Sequence, residues 1–217
     1  MLLILLIACV DPALFAASEI VDAPGEMDAA FRDSSAAING VRGGGPGAGS
    51  TDVFSLGYDE GVDNYIVLGW DGRRIVDGPG TDLVVFENPF ETDDGVFMDP
   101  VIVELSEDGV TWQPLVHDYT APDERSYSDD PNHWLGFAGV TPVLLHADVN
   151  PVDPFDRLAA GGDHFDFAHS DLQAARFVRL VTAPSRINPD TGDYYPRDSI
   201  SDGADIDGVY ARYFEEE

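Results

Sequence analysis

Between Arg73 and Phe90 the chain reads RRIVDGPGTDLVVFENPF, and Asp77, Asp82, Glu87 and Asn88 offer side-chain oxygens at both ends of the apolar run Leu83-Val84-Val85-Phe86. Calcium takes roughly six to eight oxygen ligands from loops held by rigid strands, and this spacing suits it. Acids of the same kind recur as Asp163 and Asp166 in GGDHFDF, and as Asp205 and Asp207 in DIDGV. Asp205 and Asp207 stand two apart, so on a strand they project from one face. The expected calcium ligands are Asp82, Glu87, Asp163 and Asp207, with Asp77, Asn88, Asp166 and Asp205 as secondary candidates. The alternative is that these residues cap turns and pair with Arg73, Arg74 or Arg176, because Asp is a common turn former. His164 and His169 are five apart, which is not a helical metal pair, so the acids favour calcium over zinc.

A second group mixes aromatic faces with planar polar ends: Arg125, Tyr127, Asn132, His133 and Trp134. On a loop at the end of a sandwich such residues can stack on a sugar ring and bond its hydroxyls. The competing role for Trp134 and Phe137 is to anchor a long loop, which needs packing of its own. Catalysis has less to point to. Paired carboxylates would suit glycoside hydrolysis, but acids are spread through the whole chain and single out no pair. No Gly-x-Ser-x-Gly elbow occurs. The function expected is therefore non-catalytic binding of carbohydrate or an envelope polymer, with calcium as a stabiliser. The alternatives are a structural or adhesive protein-interaction module, and a carbohydrate-active hydrolase.

Charge sets the partners. The 41 acidic residues face 11 basic ones, all arginine, for a net charge of -30. A phosphate backbone is repelled by such a surface, which excludes nucleic acid as a partner. With 44% hydrophobic and 11% aromatic residues the chain still has enough apolar matter for a core. A single cysteine, Cys9, rules out an intramolecular disulfide.

The elements that position these residues are β-strands. Val53–Leu56, Tyr65–Trp70, Leu83–Phe86, Val101–Ser106, Val110–Trp112, Arg176–Val181 and Gly208–Phe214 are short β-branched or aromatic runs between turn residues. Leu83–Phe86 is apolar throughout, as a strand buried on both faces should be. Arg176–Val181 alternates, as a strand with one wet face should. Asp108-Gly109 marks a hairpin between Val101–Ser106 and the residues around Trp112. His117 to Phe167 breaks the spacing and reads as a long loop insertion. Gly40 to Ser50 is glycine-rich but lacks the lysine of a phosphate loop. The class expected is all-β, an antiparallel jelly-roll-like sandwich.

VELSEDGVTW (Val103–Trp112) followed by ARFVRLV (Ala175–Val181) is similar to the paired strands of discoidin-like domains, the galactose-binding-like β-sandwiches. More widely, GSTDVFSLG, VDGPGTDLVVFENPF, AGVTPV, GGDHFDF and DIDGV resemble a family of bacterial cell-surface proteins and lipoproteins over residues 36 to 214. The resemblance implies a galactose-binding-like sandwich with Trp112 in its core, displayed on the cell envelope; it implies no reaction. MLLILLIA before Cys9 resembles a lipoprotein signal, residues 1–8, with the lipobox Leu6-Ile7-Ala8-Cys9. That implies cleavage before Cys9, lipidation of its thiol and contact with the membrane through the lipid anchor alone. The run lacks a basic residue in front, and a plain secretory signal or a first buried strand are the alternatives. Residues 9–35 read as a tether, 36–214 as the sandwich and 215–217 as an acidic tail.

Overall fold

Two antiparallel sheets close over one apolar core in the computed structural model, which describes residues 14–24, 30–58, 64–170, 172–201 and 203–216. Cys9 and the expected signal segment lie outside those residues. The larger sheet has five strands in the order Glu19–Asp22, Tyr65–Gly69, Phe177–Thr182, Val101–Ser106, Gln113–Pro114. Opposite lies a sheet of Asp163–Phe165, Leu83–Phe86 and Gly208–Ala211. A further sheet joins Ala174–Ala175, Arg73–Val76 and Phe214–Glu216.

Alternation along the strands explains the layering. Ile66, Leu68, Val103, Leu105, Val178 and Leu180 enter one cluster with Leu83, Val85, Val209 and Ala211. Burying each such aliphatic side chain contributes roughly 1.5–3 kcal/mol. The other side of the smaller sheet is also covered: Val84, Phe86 and Tyr210 pack against Val41, Val143, Leu145 and Ala160. That second layer is why Leu83–Phe86 is apolar on both faces and buried throughout. At one end of the larger sheet Ile102 and Val181 turn outward under Met98, Tyr119, Trp134, Phe137 and Tyr195. The long insertion therefore folds back over half of that outer face. Within it, Asp118–Tyr119 pairs with Trp134–Leu135, and Asp163–Phe165 joins the smaller sheet.

Four expectations need correction. The tether is part of the sandwich from Leu14 to Pro24: Glu19 stands opposite Gly69 and Asp22 opposite Val67, and the Ala17 N–H donates to the Val209 carbonyl at 2.8 Å. A four-residue edge strand carries no periodicity of its own; the neighbouring strand's unpaired edge specifies it. The acidic tail begins as a strand, with Phe214 opposite Ile75 and Glu215 opposite Arg74, an opposite-charge cross-strand pair. The hairpin forms with a longer turn than Asp108-Gly109 alone. Asp108 accepts from the Val110 and Thr111 N–H groups at 2.8 and 2.7 Å, Gly109 takes φ +72°, and pairing resumes only at Gln113. Val110–Trp112 is thus not a strand, and Trp112 is half-buried on the outer face instead of filling the core.

Candidate functional site

Five acidic side chains are buried among the described residues: Asp82, Glu87, Glu104, Asp163 and Asp207. Four of them are the expected calcium ligands, yet they do not form one site. Each receives backbone N–H groups from a different loop. Asp82 accepts from Gly78 at 2.8 Å and Phe167 at 2.7 Å. Glu87 Oε1 accepts from Asp205 at 2.7 Å, while its buried Oε2 has no hydrogen-bond partner among the described residues. Asp163 Oδ2 accepts from Val140 at 3.0 Å and Thr141 at 3.4 Å. Both oxygens of Asp207 accept from Arg42 at 2.9 Å. Buried amides need acceptors, and a carboxylate at a strand end supplies two. Burial raises all four acids: Asp82 upward, Glu87 well above its usual range with Asp99 and Asp205 adding to it, Asp163 to about 6 and Asp207 to about 7.

The secondary candidates fall apart in the same way. Asp205 pairs in strand register with Ser55, but at Asp207 the backbone switches to the Phe86 carbonyl, so the two acids serve different loops. Asn88 bonds both the N–H and the carbonyl of Ser50 and reaches Asp205 at 3.5 Å. What the structure does bring together is Asp77, Asp82 and Asp166, whose ligand atoms lie within 4.8 Å of one another. These three carboxylates could hold one cation, with only Asp82 of the expected primary set among them.

The aromatic loop is an anchor. Trp134 is 1% exposed; its Nε1–H donates to the Ser128 carbonyl at 2.9 Å, and its ring meets Tyr119 and Phe137 at 4.0 and 5.2 Å. The Tyr127 hydroxyl donates to the Met98 carbonyl at 2.8 Å, and His133 Nδ1 sits 2.7 Å from Ser128 Oγ. Asn132 is exposed, but its amide is bound to Asp130 at 2.8 Å, and Arg125 pairs with Asp193 at 2.9 Å. A buried indole presents no face to a sugar, so Trp134 packs the loop, while Arg125 and Asn132 stay exposed on its rim.

An aromatic and polar cleft does open elsewhere, on the uncovered half of the larger sheet. In register, Arg179 stands between Val67 and Glu104, and Phe177 between Gly69 and Ser106. The Arg179 guanidinium lies 4.3 Å from the Trp112 ring centre and 5.3 Å from that of Tyr65. Its Nε meets Glu104 Oε2 at 2.5 Å, and the Tyr65 hydroxyl donates to Asp22 at 2.9 Å. Asp22, Tyr65, Trp112 and Arg179, with Val21, Val67 and Gly109, line a cleft of about 270 Å³. A second cleft of about 120 Å³ continues along the same strands, lined by Glu19, Trp70, Gly72, Arg73, Arg176 and Phe177. Sequence reading found the strand with its one wet face but assigned its tryptophan to the core. The alternation Phe177-Val178-Arg179 was the signal for the floor; the turn that carries Trp112 outward had none.

A larger opening of about 540 Å³ at the sandwich edge is lined by Leu115, Val116, His164, Phe165 and Asp166. His164 there is pushed down to about 4 by burial, with Arg157 next in effect, and is neutral at ordinary pH. These three clefts carry one carboxylate each among their lining residues, from Asp166, Asp22 and Glu19. No family model and no curated protein matches the chain.

Proposed function

We propose that the chain is a non-catalytic binding module of the bacterial cell envelope that holds carbohydrate on the open face of its larger sheet. The observation that carries this reading is the Tyr65–Arg179–Trp112 stack, partly buried and held by Asp22 and Glu104. Aromatic faces suit the apolar faces of sugar rings, and guanidinium and carboxylate edges in fixed orientation suit hydroxyl pairs. Preorganisation matters because ordering long polar side chains on binding costs about 0.5–1.5 kcal/mol each.

The finer fold belongs to this proposal: a jelly-roll sandwich of galactose-binding-like type. Antiparallel pairing of Val101–Ser106 with Phe177–Thr182 supports it, since both stretches carry the resemblance; the outward position of Trp112 departs from it. Envelope display rests on the Leu6–Cys9 lipobox, with a lipid anchor as the membrane contact. Calcium enters as a brace at Asp77, Asp82 and Asp166, where one divalent ion would offset the mutual repulsion of three acids.

A glycan-array screen of the full chain, with and without calcium, tests the reading. Binding to saccharides that Trp112→Ala abolishes supports it. Binding that survives Trp112→Ala but is lost with Arg125→Ala and Asn132→Ala would move the site back to the loop.

A further inference from the structure

Resting on the carbohydrate reading, we propose that the site takes an uncharged glycan chain laid across both clefts of the sheet face, and neither a single sugar nor a polyanion.

The geometry makes the two clefts one strip. Both are lined from the edge strand Glu19–Asp22, from Tyr65–Arg73 and from Arg176–Arg179. Val67 and Gly69 are successive outward positions on one strand, as are Arg179 and Phe177 on the next. Two residues of strand advance about 7 Å, so the clefts adjoin. Gly69 leaves room for the side chains that meet between them: a Cβ there would stand 3.2 Å from Glu19 Oε2 and 3.6 Å from the Phe177 ring and from Val21 Cγ2. Trp112 and Tyr65 line one cleft and Phe177 the other, so a chain crossing both meets aromatic side chains in each.

Charge selects the kind of chain. Arg73, Arg176 and Arg179 line the two clefts with Glu19 and Asp22, and Arg74, Glu104 and Glu107 flank them through ion pairs. On a protein of net charge -30 the strip is locally balanced. The arginines are engaged with protein partners: Arg179 with Glu104 at 2.5 Å, Arg74 and Arg176 with Glu107 at 3.2 and 3.6 Å, and Arg73 with the Leu14 carbonyl at 2.8 Å. A polyanion would have to displace these acids and approach an acidic molecule. Screening over about 8 Å at physiological salt removes the far field but leaves the strip itself neutral. Uncharged hydroxyls, by contrast, bond to paired guanidinium and carboxylate edges without breaking the pairs.

Calorimetric titration of the full chain with cello- and manno-oligosaccharides of increasing length, and with polygalacturonate, tests this at low and high salt. Affinity should climb several-fold as the chain becomes long enough to reach the second cleft, and salt should change it little. Phe177→Ala and Gly69→Leu should each lower the affinity for long chains several-fold more than that for short ones. Equal affinity for short and long chains in the wild-type protein, lost with Trp112→Ala, would overturn the two-cleft strip while leaving the carbohydrate reading intact. Tight polygalacturonate binding that weakens steeply with salt would overturn the uncharged ligand. Binding of no glycan at all would overturn the carbohydrate reading itself.

Discussion

Arg179 lies with its guanidinium 4.3 Å over the ring of Trp112, a contact that joins the central strand of the larger sheet to the turn after Val101–Ser106. Trp112→Ala removes that ring from the cleft without opening the core. Glycan affinity should fall about tenfold, equivalent to about 1.4 kcal/mol, while stability changes by less than about 1 kcal/mol. Calorimetry paired with a thermal melt checks both, and a collapse of stability with unchanged affinity would contradict the assignment.

Glu104 keeps Arg179 in place, and the pair is mostly buried, with side chains 10% and 17% exposed. Glu104→Gln leaves the guanidinium partly desolvated without its counter-charge. The expected cost is about 2 kcal/mol, between surface and fully buried ion pairs. Denaturant unfolding measures it; a cost near zero would mean that solvent already shares the pair.

Trp134→Ala should cost about 3–5 kcal/mol, the price of a cavity under a fully buried aromatic. Arg125→Ala and Asn132→Ala, on the exposed rim of the same loop, should leave both stability and glycan affinity near wild type. Loss of affinity in either rim variant, with the fold intact by circular dichroism, would restore the loop as a binding surface.

Stability should depend on pH through the buried acids. Folding raises Asp163 to about 6 and Asp207 to about 7, and Asp82 and Glu87 move the same way, against about 3.9–4.3 in an unfolded chain. The folded state therefore holds more protons between about pH 4 and 7. The contribution of these groups is full below the unfolded values and lost as pH rises through the folded ones. The melting temperature should be higher near pH 5 than near pH 8, and Asp207→Asn should flatten the slope. A melting temperature that climbs steadily from about pH 5 to 8 would contradict the burial account.

Calcium at Asp77, Asp82 and Asp166 should raise the melting temperature and chelator should lower it, with magnesium a poor substitute. Asp166→Asn should abolish the response. An unchanged melting temperature in excess chelator after dialysis would remove calcium from the account.

The strands that were legible in the sequence are those whose own residues specify burial. Leu83–Phe86 and Val101–Ser106 are buried along their whole length, the first wholly apolar and the second β-branched at its start, and Phe177–Thr182 shows its wet position at Arg179. Glu19–Asp22 and Asp163–Phe165 were not legible, because short strands are specified by the unpaired edges they complete. The buried acids could be picked out from their positions beside strand ends. Whether such carboxylates meet one another or meet backbone amides depends on loop paths, and residue spacing does not carry that information. Trp112 shows the same limit from the other side: an extended six-residue turn, closed by Asp108, turns the indole outward.

The most direct test of sheet-face binding uses the indole N–H signals of the chain's three tryptophans. Trp70 donates to the Phe15 carbonyl at 3.0 Å and Trp134 to the Ser128 carbonyl at 2.9 Å, both from buried rings, whereas Trp112 lines the cleft. In a nitrogen-15 correlation spectrum titrated with a neutral oligosaccharide, the Trp112 indole peak should shift and the Trp134 peak should hold still. A shift of the Trp134 peak with Trp112 unmoved, or three unmoved peaks under a saccharide that calorimetry shows to bind, would contradict it.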